Sequence, residues 1–206
     1  MTDNLREKLK GRELKIFVIF TMFVLFGAAF AMGTPLEIWE GMKTIAMSRD
    51  ALITDYFELV GYGPAFFNAA LVMTISLVMI EYAELPFTGL TIAAVFINTG
   101  FGFWGKNVVN ILPIHFGTIL YAKAHNTPMS RYTYTALFAT CLAPFVTELT
   151  YILPFGLWGN LAIAIIAGLF VGYVLPPLSQ HTASMHMGYN LFNGGLSAGL
   201  LAFVMV

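Results

Sequence analysis

Lys106, Asn107 and Asn110 are polar residues set among apolar ones, just after a glycine series at Gly100, Gly102 and Gly105. The stretch 88–104 before them is apolar apart from Asn98 and Thr99, and the apolar stretch after them, 111–121, has only 11 residues. At 1.5 Å per residue the second piece reaches about 17 Å, roughly half the hydrocarbon thickness of a bilayer. Two short apolar pieces around a Gly/Lys/Asn interruption predict a discontinuous or re-entrant hairpin over 88–121. A half-helix starting near Ile111 then points its free amides and positive dipole end at Lys106, a combination that stabilises an anion or a carbonyl oxygen. The first half-helix ends near Gly100 with carbonyls suited to a cation. Two ordinary short spans are the alternative, with Lys106 snorkelling at the outer interface and the asparagines capping the second helix.

Glu148 lies well inside another apolar stretch. It is a candidate proton or cation site, a partner for Lys106, or a carboxylate near the outer surface. Asn190 and Asn193 in Gly188-Tyr189-Asn190-Leu191-Phe192-Asn193-Gly194-Gly195 have the i, i+3 spacing that shares one helix face. Carboxamides both donate and accept, so this face suits a neutral polar solute or a dehydrated ion, or else hydrogen bonding between packed helices. Asn68 and Asn98 have the same two readings. His181 and His186 are five apart and lack an HExxH pattern, so no metal site is expected. His115 reads as a core histidine with its hydrogen bonds satisfied.

The elements that position these residues follow from composition. Of 206 residues, 58% are hydrophobic and 10% charged, with mean hydropathy +0.78. Soluble domains carry about a quarter charged residues. This chain is too poor in charge for a disordered segment, a coiled coil or a nucleic-acid binder, and it is predicted to be an all-α polytopic membrane protein. Net charge is −1, and the lone Cys141 leaves no disulfide framework. Gly-x-Ser-x-Gly, Walker and GxGxxG patterns are absent, so neither an enzyme nor a cofactor is expected.

Five of the ten Lys/Arg precede Ile16. The positive-inside rule puts this basic N-terminus, 1–15, in the cytoplasm and makes 16–206 one transmembrane domain. A secretory signal peptide with Ala29-Phe30-Ala31 is the competing reading. About five full spans are expected, near 16–32, 65–80, 132–153, 157–175 and 188–206. Thr34, Pro35 and Glu37 form a capping-box start for an amphipathic interfacial helix over 35–47, carrying Leu36, Trp39, Met42, Ile45 and Ala46 on its apolar side. Gly168 and Gly172 permit close helix approach, and Pro176-Pro177 is expected to stop the fourth span.

Several stretches resemble one family. They are Leu52-Ile53-Thr54-Asp55-Tyr56, Gly89-Leu90-Thr91-Ile92-Ala93-Ala94-Val95-Phe96, Gly100-Phe101-Gly102-Phe103-Trp104-Gly105-Lys106-Asn107, Leu175-Pro176-Pro177-Leu178-Ser179 and Gly188-Tyr189-Asn190-Leu191-Phe192-Asn193. The chain is similar to the domain of unknown function 1576 family of bacterial polytopic membrane proteins. The resemblance implies a bacterial inner-membrane protein and supplies no substrate. It also implies members about twice as long, so this chain resembles one half of such a protein and is expected to pair with itself or with a partner half. The expected function is a transporter or channel for a small polar solute or ion, with a site at the hairpin and the Asn190/Asn193 face. The alternative is a non-transporting structural or assembly subunit of a membrane complex.

Overall fold

The computed structural model describes residues 3–49, 53–189 and 193–205, with side chains from residue 9 onward. Ten α-helices account for most of them: α1 Asp3–Met32, α2 Pro35–Met47, α3 Tyr56–Val60, α4 Tyr62–Tyr82, α5 Gly89–Phe101, α6 Val108–Ala124, α7 Thr133–Ala139, α8 Ala143–Ile152, α9 Gly156–His186 and α10 Asn193–Met205. Among the described residues, four helical stretches are long and apolar enough to cross a membrane: Leu9–Met32, Tyr62–Tyr82, Thr133–Ile152 and Gly156–His186. The architecture is that of an α-helical membrane protein.

Two packed pairs organise the bundle. α1 lies along α4, and α6 lies along α9. In the second pair a Cβ on Gly172 would drive into the Ile114 carbonyl, and one on Gly117 would collide with the Leu169 backbone. Glycine at these positions lets the two backbones touch, as the Gly168/Gly172 spacing predicted. α1 turns Phe17, Phe20, Phe23 and Phe30 outward, each more than half exposed, an apolar flank suited to lipid.

Several expectations change. The helix over 16–32 begins at Asp3, so the basic segment is helical as well. The fourth span runs through Pro176-Pro177 to His186. Pro176 has no N–H for the Gly172 carbonyl, and Thr118 Oγ1 of α6 donates to that carbonyl at 2.9 Å instead. His181 and His186, beyond the expected stop at the prolines, are therefore helical. Where a full span was expected over 188–206, the described helix α10 has 13 residues, about 20 Å.

Residues 133–152 are interrupted by a 3-10 turn at Thr140–Leu142. Pro144 explains it, because its ring and missing N–H release the Thr140 carbonyl from the α-helical ladder. The capping box at Thr34 and Glu37 forms as predicted. Part of the apolar side of α2 faces away from the bundle. Ile38, Gly41 and Ile45 are buried while Leu36 and Trp39 are exposed. Gly41 sets that register, since a Cβ there would overlap the Pro64 ring of α4.

Candidate functional site

α5 ends at Phe101 and α6 begins at Val108. The segment between them is closely bound. Gly102 lies against α4, where an added Cβ would come within 2.8 Å of Ala69 Cα. Gly105 has φ +97°, a left-handed conformation that lets the chain reverse at low cost. Asn107 caps α6 by accepting from the Val109 and Asn110 amides at 2.9 and 3.1 Å, and Asn110 Oδ1 accepts from the Asn107 amide at 2.9 Å. This reciprocal pair satisfies donors that a helix start leaves free.

α3 and the residue before it lie over the segment. The Tyr56 amide donates to the Phe103 carbonyl at 3.2 Å, and Asp55 bridges Trp104. Phe57 stacks on Phe103 with ring centroids 5.0 Å apart, and Phe66 meets Phe103 edge-on. The depth of the break can be read from Asn68 of α4. Its Nδ2 donates to the Gly102 carbonyl at 2.6 Å and to the Lys106 carbonyl at 2.8 Å. Asn68 lies six residues in from Tyr62, the start of α4, or about 9 Å. The break is thus sunk below the end of its neighbour and covered from above.

Lys106 is buried, with 3% of its surface exposed. Its side chain turns into the bundle rather than snorkelling. Nζ donates to Asn98 Oδ1 on α5 and to Thr140 Oγ1 at the α7–α8 turn, each at 2.8 Å. The Phe101 ring lies 5.0 Å from Nζ, close enough for a cation–π contact. Among the described residues no carboxylate forms an ion pair with Lys106. Glu148, one candidate partner, is taken by Arg49, which reaches both carboxylate oxygens. Arg49 is a residue of the α2–α3 connection that sequence reasoning passed over. The pairing pushes its guanidinium pKa above the usual arginine value, through the hydrogen bonds and then the charge of Glu148. Beside it, the Tyr151 hydroxyl donates to the Met47 carbonyl, so the end of α2 is tied to α8 at two points.

Five of the eight site residues expected from sequence therefore meet at one place: Asn68, Asn98, Lys106, Asn107 and Asn110. Two threonines complete the cluster without having been singled out. Thr140 takes a bond from Lys106, and Thr147 takes one from Asn110 Nδ2 at 2.9 Å. A lone threonine in an apolar run carries no motif, and only the Pro144 break nearby hinted at a special position for Thr140. A small cavity of about 40 Å³ touches Asn107, Asn110 and Thr147, with Ala46 and Tyr151 also in its lining.

The remaining candidates lie elsewhere. Glu148 faces Arg49 at the surface side of α8. Asn193 sits at the α9–α10 junction, where Nδ2 donates to the Ser179 carbonyl at 2.8 Å and Oδ1 accepts from Thr182 at 2.8 Å. Those bonds are the helix-to-helix alternative for this residue. Asn190 lies outside the described residues. His115 is buried as expected, but its Nδ1 has no hydrogen-bond partner among the described residues, contrary to the satisfied core histidine the sequence implied.

A family described as Protein of unknown function (DUF1576) matches residues 34–206. The chain belongs to the DUF1576 family. The matched region runs from α2 through α10 and takes in the whole polar cluster, while α1 precedes it. No curated protein and no solved structure matches the chain.

Proposed function

We propose that this protein conducts a small polar solute or ion across a membrane, and that the solute passes the break between α5 and α6. One observation carries the reading: a lysine ammonium held inside the bundle by neutral acceptors, with no carboxylate paired to it among the described residues. A charge in the middle of a bilayer costs about 2.5–3.5 kcal/mol even on insertion scales, and such residues commonly mark substrate paths. A cation without a counter-charge favours a solute that brings negative charge or a carbonyl oxygen. On this reading α5 and α6 are a re-entrant pair, each running from one side of the membrane to the buried break.

Further parts of the proposal concern placement. Lys/Arg crowding in the first half of α1, before Ile16, supports a cytoplasmic N-terminus, and we place the chain in a bacterial inner membrane. Transport sites commonly sit between two structural repeats, which supports a second copy or a partner half. Crosslinking in the membrane tests that part, and a chain that stays monomeric at every crosslinker concentration argues against it.

A second reading is a non-transporting subunit of a membrane complex. It is favoured by the small size of the cavity at Asn110 and by the bonds that tie Asn68 and Asn110 to backbone carbonyls. Flux decides between the two. Proteoliposomes are challenged with gradients of chloride, formate and urea, using the natural chain, Lys106→Met and Glu148→Gln. The transport reading expects flux above protein-free vesicles for at least one solute, lost in Lys106→Met and kept in Glu148→Gln. Equal flux in Lys106→Met and the natural chain removes the site.

A further inference from the structure

A large opening shares no lining residue with the Lys106 cluster. It lies where the basic start of α1 meets the α4–α5 connection and holds about 880 Å³, within the range of ligand sites. Lys10, Arg12 and Lys15 line one side. Leu14, Leu85 and Phe87 give it an apolar wall. Thr88 and Gly89 place the first turn of α5 at its edge, and the Thr88–Thr91 capping box takes the Thr88 and Thr91 amides but not those of Gly89 and Leu90.

The charges do not cancel. Lys15 pairs with Glu81 at 2.7 Å and lies over the Phe87 ring at 5.8 Å. Glu84 is the other carboxylate on the wall. Among the described residues Lys10 and Arg12 have no ion-pair partner, so three cations face two carboxylates, with one of each already joined. The opening also sits at a particular height. Its cations fall at the base of the apolar part of α1, whose membrane-length stretch is Leu9–Met32. That is the level at which lipid headgroups meet a spanning helix.

We propose that this cavity binds the phosphate of an anionic phospholipid headgroup. The guanidinium of Arg12 and the ammonium of Lys10 supply the charge-assisted donors. The first-turn amides of α5 add a partial positive charge. The apolar wall takes the top of the acyl chains. Basic pockets between helices at a membrane surface recognise headgroups in this way.

The test is native mass spectrometry of the full chain in a mild neutral detergent, titrated with phosphatidylglycerol or phosphatidylcholine. The natural chain is expected to retain phosphatidylglycerol and not phosphatidylcholine. Lys10→Gln/Arg12→Gln is expected to weaken retention roughly tenfold or more. Lys123→Gln/Arg131→Gln removes the same charge from other positions and is expected to change retention less than about twofold. Glu84→Gln removes a repelling carboxylate and is expected to tighten binding about threefold, a direction that misfolding would not produce. Equal weakening in the two double variants, equal retention of the two lipids, or weaker binding in Glu84→Gln overturns the proposal. Displacement of phosphatidylglycerol by millimolar inorganic phosphate assigns the site to a free anion and overturns the lipid assignment.

Discussion

Lys106, in the break that follows α5, meets Asn98 of α5 at 2.8 Å, and Thr140 Oγ1 stands 2.8 Å from each. Three elements, α5, the loop to α6 and the α7–α8 turn, are joined by this one triangle. Its members are a cation and two neutral groups, so its stability and its charge are separable by mutation.

Lys106→Met removes the ammonium and leaves Asn98 Oδ1 and the Thr140 hydroxyl paired with each other, so no polar atom is stranded. Stability in an SDS titration is expected to change by less than about 1.5 kcal/mol. Asn98→Leu leaves the cation with one side-chain acceptor and is expected to cost about 1–3 kcal/mol or more. A larger loss for Lys106→Met than for Asn98→Leu would contradict this ordering.

Asn68→Leu deprives two buried carbonyls, those of Gly102 and Lys106, of the carboxamide that serves both. The expected cost is about 1–3 kcal/mol for each group. Hydrogen exchange read across 102–107 should speed up locally before global unfolding does. Unchanged exchange there would show that α3 alone holds the segment down.

Arg49 and Glu148 are 99 residues apart and exposed to different degrees, 60% and 25% for the side chains. A double-mutant cycle with Arg49→Gln and Glu148→Gln is expected to give a coupling near or below about 1 kcal/mol, shrinking as salt is raised. Coupling that ignores salt would mean the pair is shielded from solvent.

Glu37 has its pKa lowered, first by the Thr34 backbone amide and then by the Thr34 hydroxyl. A depressed folded-state value means the carboxylate stabilises α2 at pH above the unfolded value. That contribution fades as pH falls through the lower folded value. Thermal midpoints of the natural chain and Glu37→Gln should therefore differ at neutral pH and converge in acid. A gap that widens on acidification would reverse the sign.

Thr118→Val strands the Gly172 carbonyl that Pro176 cannot serve, at an expected cost of about 1–3 kcal/mol. Thr118→Ser keeps the donor and is expected to stay near the natural chain. Equal losses for valine and serine would place the effect in packing rather than in the hydrogen bond.

What the sequence disclosed was local. Thr34, Pro35 and Glu37 lie within four positions, so their helix start was legible, as was the interruption at Gly100–Lys106–Asn110 between two apolar pieces. Gly168 and Gly172 announced a close crossing through their spacing. What it concealed depended on distant partners. The face of α2 is set by Gly41 against Pro64, the partner of Glu148 is Arg49 rather than Lys106, and the course of α9 through two prolines depends on Thr118. The inward turn of Lys106 needed Thr140, which stands 34 residues away. Periodicity and composition report what a residue prefers, and these positions were decided by which neighbour arrived.

The bond from Thr118 to Gly172 also bears on the order in which the bundle comes together. α9 completes its passage through Pro176-Pro177 only where another helix lends a hydroxyl, and that hydroxyl belongs to a segment made earlier in the chain. Residues 108–124 leave the ribosome before residues 172–177, so the donor is made before the carbonyl that needs it. The second half of α9 thereby takes a hydrogen-bond donor from a segment synthesised before it, and a chain whose α6 docked late would leave the Gly172 carbonyl unserved.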